Sequence, residues 1–566
     1  MKISKYRLIK LFGLVLMGVL PLFSCGNPFT PPVELVLRGG KIATVDDKFS
    51  FAEAVAISKG KIISVSSNKK IEKYIGSDTQ VIDLEGKLVV PGLIDAHAHL
   101  TGYARSLLVL DLRGLTSYRQ VIDMVAEKAK TLEPGEWILG RSWDQNDWED
   151  VDDLPFHDAL SEVTQKNPVW LTRVDGHAGL ANKYALHISG ISKQTNNPDG
   201  GEILRKPNGD PTGVFIDRAM GMVSKNILDF TGIQLIEAIE MASNNCLAAG
   251  LTCVHDAGAS PEIIKRYKRL IYTGKIKIRI YAMLGNPVGD RAVTSYLKMN
   301  RIDNYEDHFL TVKSIKLFVD GALGSRGAKM FESYSDREGH NGLLTLPYER
   351  ILQVSRNALE AGFQVCTHAI GDEGNRLTLN AYEQALKEHP SPDHRFRVEH
   401  AQIVSLEDIP RFSEIGVLPS MQPTHATSDM YWAEERVGPE RIKGAYAWQK
   451  FLKTGVIIPC GSDFPVEEIN PMLGIYAAVT RQGPDEKPEG GWYPGECMTR
   501  EQALRGFTIW AAYAAFQEDI LGSIEEGKLA DMVVLSKDIL TVPPKEILTT
   551  VPEYTIVGGK ILYRCE

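Results

Sequence analysis

Cysteine is scarce. The 566-residue chain has seven, Cys25, Cys246, Cys253, Cys366, Cys460, Cys497 and Cys565, and no two stand in a Cys-x-x-Cys pair. That argues against a disulfide-stapled scaffold and a thiolate zinc site. A basic excess is also missing. Sixty-three Lys and Arg face 72 Asp and Glu, a formal charge of −9, which argues against nucleic-acid partners. Internal repeats and low-complexity tracts are absent. Apolar side chains are not scarce: at 43% they suffice for a large core, which excludes disorder as the main theme.

The first residues differ from the rest. Lys2, Lys5, Arg7 and Lys10 precede an apolar run from Leu11 to Phe23, too short for a membrane-spanning helix of about 20 residues. The pattern is that of a secretory signal, and Leu22-Phe23-Ser24-Cys25 resembles a bacterial lipobox. The expectation is a signal peptide over 1–24, lipid on Cys25, a tether over 25–33, and a lipid-anchored location in the cell envelope. Losing four positive charges would take the net charge from −9 to −13.

From Glu34 short β-rich runs begin, such as Leu35–Arg38, Lys61–Val65 and Val81–Leu84, and similar runs return at Met532–Leu535, Tyr554–Val557 and Lys560–Tyr563. They predict one small β-sandwich built from both termini, over 34–90 and 517–566. Between them, over 91–516, apolar strands alternate with amphipathic helical stretches such as Ile233–Ala249, Ile351–Ala361 and Arg376–Lys387. Eight candidate strands are read: Leu93–His97, Pro168–Arg173, Thr252–His255, Ser314–Val319, Gln364–His368, Arg395–His400, Gly416–Met421 and Val456–Asp463. This predicts an α/β fold, a (β/α)8 barrel of TIM type. Two long early gaps predict insertions over the barrel mouth, with turns and hairpins over 195–217.

The ends of these strands carry the chemistry. His97-Ala98-His99 puts two imidazoles on one side of a strand. Thr367-His368, Glu399-His400 and Ser462-Asp463 close three other apolar runs. Lys316 lies inside the apolar run Ser314–Val319, where an unpaired ammonium is costly. Either it pairs with Asp320 or faces solvent, or it is carbamylated and its carboxylate bridges two metal ions. Strand ends at the top of a barrel converge. Four histidines, a lysine and an aspartate suit one or two divalent cations. Nitrogen and oxygen donors suit zinc best, then manganese or iron.

Pro91–His99, Lys316–Ala328, Thr367–Asp372, Arg397–Gln402, Gly461–Val466 and Gly522–Asp531, in this order, resemble the amidohydrolase superfamily. The branch is amidohydrolase-3, which contains enzymes like N-substituted formamide deformylase. The resemblance implies a metal-dependent hydrolase of non-peptide carbon–nitrogen bonds. His97 and His99 would hold one metal and His368 and His400 the other, with Lys316 bridging as N6-carboxylysine. Asp463 would contact a metal and handle protons. Two other readings stay open: a single-metal deaminase of the same superfamily, and a binding lipoprotein that has lost catalysis.

Further candidates follow from strand ends. His177, His255, Asp256, Arg326, Gln422 and His425 are candidate substrate contacts, and Trp143 and Trp148 could line an apolar pocket. Cys366 and Cys460 are expected in the core. The expected partner is a small-molecule substrate, with no nucleic acid and membrane contact only through lipid. The sequence leaves the oligomeric state open, a homodimer being one option.

Overall fold

The computed structural model describes residues 33–151, 153–228, 230–285, 295–299 and 301–565. The segment read as a signal peptide, Cys25 and nearly all of the stretch read as a tether lie outside these residues. Seven parallel strands form a nearly closed barrel: β1 Leu93–Ala98, β2 Leu251–Ala259, β3 Arg279–Leu284, β4 Leu310–Phe318, β5 Gln364–Ala369, β6 Arg397–His400 and β7 Leu418–Ser420. Their order around the sheet follows the chain. The gap between β7 and β1 is filled by the Val456–Asp463 segment. Pro459 and Gly461 bond to Met421, Cys460 O accepts from Ala96 N, and Asp463 N donates to His97 O. This segment is not a regular strand. Pro459 has no N–H to give a ladder, so irregular bonds complete the wall.

Two readings of the barrel need correction. Val169–Arg173 is a strand, but it belongs to another sheet. Its place beside β1 falls to β2, and β3 is a strand the sequence reading did not contain. Lys277 and Arg279 break the apolar run of β3 and hide it in the sequence. The structure accommodates Arg279 by a buried pair with Asp531, 2.7 Å away. Helices Gly232–Ala248, Pro261–Tyr272, Tyr348–Ala361 and Asp372–Glu388 pack outside. The first is opened by a capping box between Thr231 and Gln234, which satisfies two otherwise orphaned N–H groups.

Both chain ends share one six-stranded sheet, in which Leu88–Pro91 pairs antiparallel with Met532–Leu535. A four-stranded sheet of Lys61–Ser66, Ala54–Ser58, Leu35–Arg38 and Gln80–Asp83 belongs to the same part of the chain. Alternation along these strands buries Leu35, Leu37, Val55, Val89, Met532 and Val534 in a common core. The early insertion is a third unit. Its six strands, from Leu110–Asp111 to Pro211–Asp217, have cores of their own. Trp143 and Trp148 stack there at 5.6 Å and fill the core rather than a pocket. Among the described residues no helix is long and apolar enough to cross a membrane.

Candidate metal centre

The six residues singled out for metal chemistry meet at the C-terminal end of the barrel. β1 carries His97, which is fully buried, one residue before its end, and His99 follows at the strand exit. Lys316 comes from β4, His368 from β5 and His400 from β6, while Asp463 ends the closing segment. The His400 ring lies 4.8 Å from that of His97 and 4.6 Å from that of His368, centroid to centroid. Asp463 Oδ1 stands 3.1 Å from His99 Nε2 and 3.6 Å from His97 Nε2. His97, His400 and Asp463 offer atoms all within 4.8 Å of one another. His400 and Asp463 have φ of 75° and 63°, a region that costs a non-glycine residue about 1–3 kcal/mol. The fold holds both side chains in place against that strain.

Hydrogen bonds fix which nitrogen His97 and His400 leave free. His97 Nδ1 lies 2.5 Å from Glu399 Oε2. An ionised carboxylate only accepts, so Nδ1 carries the proton and Nε2 keeps its lone pair. Burial first, and Lys316 next, push the His97 pKa down to about 4, so the ring is neutral, as a ligand must be. His400 Nδ1 bonds Gln422 Oε1 at 2.8 Å, which leaves its Nε2. His368 Nε2 lies 3.4 Å from Asp320 Oδ1 but makes no hydrogen bond. The donors are buried nitrogens and oxygens, and Asp463 Oδ1 has no hydrogen-bond partner. This set fits a borderline divalent cation.

Lys316 is fully buried, with Nζ 3.1 Å from His97 Nε2. Among the described residues no carboxylate lies within ion-pair distance of it. The pairing with Asp320 that the sequence allowed is excluded, because Asp320 accepts the N–H groups of Lys329, Ile370 and Gly371. Burial, the largest influence, lowers the lysine pKa to about 8.

A cavity of about 380 Å³ opens over the cluster, within the usual range for small-molecule sites. His99, His368, His400 and Asp463 line it, with His177 and His425. His177 donates from Nδ1 to Asp217 at 2.6 Å, and its ring lies 5.1 Å from that of His368. Burial opposes its charge, but Asp217, Asp175 and Asp320 outweigh this and raise its pKa to about 9. His425 stacks on His400 at 5.8 Å. Gln422 reaches the site only through His400.

Three other candidates are corrected. His255 is buried behind the cluster against Arg397. Asp256 is spent on Leu100 N and the Tyr267 hydroxyl. Arg326 pairs with Asp336 and Asp153. Strand-end position was a true signal of neighbourhood, but side-chain direction and internal partners withdrew these groups from the cavity. The sequence reading missed Glu399 and Arg397, which are fully buried behind His97 and 2.7 Å apart. The two charges inside the short run Arg397–His400 were the available signal.

Residues 80–563 match the model of the Amidohydrolase family. Protein LONG AFTER FAR-RED 3 of Arabidopsis thaliana is 35% identical, over 98% of this chain and 97% of its own. N-substituted formamide deformylase of Arthrobacter pascens is 28% identical, over 94% and 98%. Among solved structures, an uncharacterized metal-dependent hydrolase from Pyrococcus horikoshii OT3 matches with a TM-score of 0.71 at 26% identity, over 90% of this chain and 99% of that one.

Proposed function

Because the chain belongs to the amidohydrolase family and is a metal-dependent hydrolase of carbon–nitrogen bonds, we propose that the histidine cluster holds zinc and acts on a non-peptide amide, formamide or other N-acyl bond. The observation that carries this reading is the buried convergence of His97, His400 and Asp463, with His99, His368 and Lys316 around it. His97 and His99 would hold one ion, His368 and His400 a second. A bound divalent ion supplies Lewis acidity to the carbonyl and brings the pKa of a water molecule down toward about 7. Asp463, facing the cavity, takes the proton of the attacking water and returns it to the leaving nitrogen.

Lys316 decides between one ion and two. With a pKa near 8 it is partly neutral at ordinary pH, and the neutral amine is the form that attacks carbon dioxide. One proton leaves to give the neutral amine and a second leaves as the N–C bond to carbon dioxide forms, so that a buried cation becomes a carboxylate among histidines.

The test combines metal analysis with a panel of N-formyl, N-acyl and cyclic amides. A zinc chelator is expected to abolish turnover and added zinc to restore it. Full turnover by protein without divalent metal would end the proposal. Release of ammonia from ring amines, with amides untouched, would favour the deaminase. Lipid on Cys25 would hold this activity at a bacterial membrane. Radiolabelled palmitate is then incorporated by the wild type and lost in Cys25→Ser, and equal labelling of both would remove the anchor.

A further inference from the structure

Burying a carboxylate is costly unless its hydrogen bonds are made. Asp95 is 1% exposed, and it takes no part in the chemistry described so far. It stands two residues before His97 on β1, so the two side chains share one side of the strand. Its oxygens accept from His97 N at 3.0 Å, from Ser462 N at 3.1 Å and from Ser462 Oγ at 2.6 Å. An ionised carboxylate only accepts, through two oxygens, which suits three converging donors.

These donors belong to the seam between β1 and the closing segment. Ala96 N bonds Cys460 O at 3.0 Å, Asp463 N bonds His97 O at 2.7 Å, and His99 N bonds Phe464 O at 2.8 Å. Between the first two bonds, Ser462 N turns to the Asp95 side chain instead of a main-chain carbonyl. Ser462 Oγ in turn accepts from Phe464 N at 3.1 Å, so the residues on both sides of Asp463 are tied to one carboxylate. The fit is close. A Cβ at Gly461 would stand 2.5 Å from His97 N and 2.6 Å from Asp95 Oδ1, which only glycine avoids. Asp463 itself has φ 63°, a conformation that persists only where the surroundings over-determine it.

We propose, on the reading of Asp463 as the proton carrier, that Asp95 is a positioning residue for it: the carboxylate clasps the strand of His97 to the closing segment and so sets how far Asp463 stands from the histidines. A clasp serving stability alone could sit anywhere along the seam. This one holds the amide of His97 and the residue just before Asp463. A shift at Asp95 therefore passes directly to the 3.1 Å and 3.6 Å that separate Asp463 Oδ1 from His99 and His97. Misplacing a reacting group by about 1 Å can cost about 100-fold in rate.

The test is Asp95→Asn on zinc-loaded protein, assayed with the amide of the panel that the wild type cleaves fastest. Asparagine keeps the size but sets an NH2 group against the Ser462 N–H. The expected result is a fall in kcat per bound zinc of about 100-fold, with KM and zinc content within about twofold of wild type. A merely structural carboxylate would lower the thermal midpoint and the folded fraction and leave kcat per bound zinc unchanged, which overturns the proposal. The double variant with Asp463→Asn separates the two again. Once the proton carrier is gone, losing its positioning costs nothing further, whereas a full additional loss, the mark of independent effects, overturns the proposal. Release of zinc by the Asp95 variant overturns it as well, because the carboxylate then serves the metal. If Asp95→Asn does not fold, Ser462→Ala removes one donor, leaves the carboxylate and carries the same comparisons, with an expected loss of about tenfold. Wild-type protein that binds no zinc, or Asp463→Asn with wild-type turnover, overturns the reading of the metal centre instead, whatever the Asp95 variants do.

Discussion

Asp463→Asn lowers kcat by about three orders of magnitude and leaves most of the bound metal in place. General acid–base catalysis contributes roughly 10²–10⁴-fold, and a carboxamide cannot take or return the proton. The substitution is otherwise mild. Asn has the shape of Asp and tolerates the left-handed backbone at this position, where φ is 63°. The bond from Asp463 N to His97 O involves only main chain and survives. The four histidines and Lys316 are untouched, so metal is retained. Steady-state kinetics and metal analysis on one preparation check this. Wild-type turnover removes the proton-transfer role, and parallel loss of metal makes Asp463 a ligand first.

Glu399→Gln is expected to weaken binding of the divalent metal by about 10–100-fold, the usual effect of losing the carboxylate behind a ligating histidine. Glu399 pairs with Arg397 at 2.7 Å and accepts from His97 at 2.5 Å. Arg397 is tied in turn to Ala96 O and the Ser420 hydroxyl. Burial alone would raise the Glu399 pKa, but Arg397 and His97 outweigh it and hold the carboxyl well below the usual range. It is therefore ionised at any working pH, and its charge keeps the proton on His97 Nδ1. A neutral Gln loosens that hold and leaves Arg397 buried without its partner, at about 3–5 kcal/mol of stability. Glu399→Asp separates the two effects. It keeps a charge for Arg397 but draws back from His97, so zinc affinity falls while the urea midpoint changes less. Competition with a chromophoric chelator measures the affinity. Wild-type zinc binding in both variants removes the role.

The legible part of the site had local grammar. His97 and His99 are two apart and emerge on one side of a strand exit, a consequence of the period of two. Lys316, His368, His400 and Asp463 each close or interrupt an apolar run, and a barrel brings such ends together. The illegible part was long-range. His97 and Glu399 are 302 residues apart in the chain, and nothing near either one announces the other. β3 was unreadable because Arg279 looks like a surface residue until Asp531, from the far end of the chain, covers it. Val169–Arg173 reads as a strand in any context, and its neighbours alone assign it to the inserted sheet.

The sequence by itself determined the class of fold, the union of the two chain ends and the donor types at the centre. These depend on residue order, apolar periodicity and side-chain chemistry, all local properties. The tertiary structure alone decided which charges are paired. It set Asp320 on backbone amides instead of Lys316, gave Glu399 to His97, and withdrew His255 and Asp256 from the cavity. Pairing is a matter of a few ångströms between residues far apart in the chain, and only the folded arrangement fixes those distances.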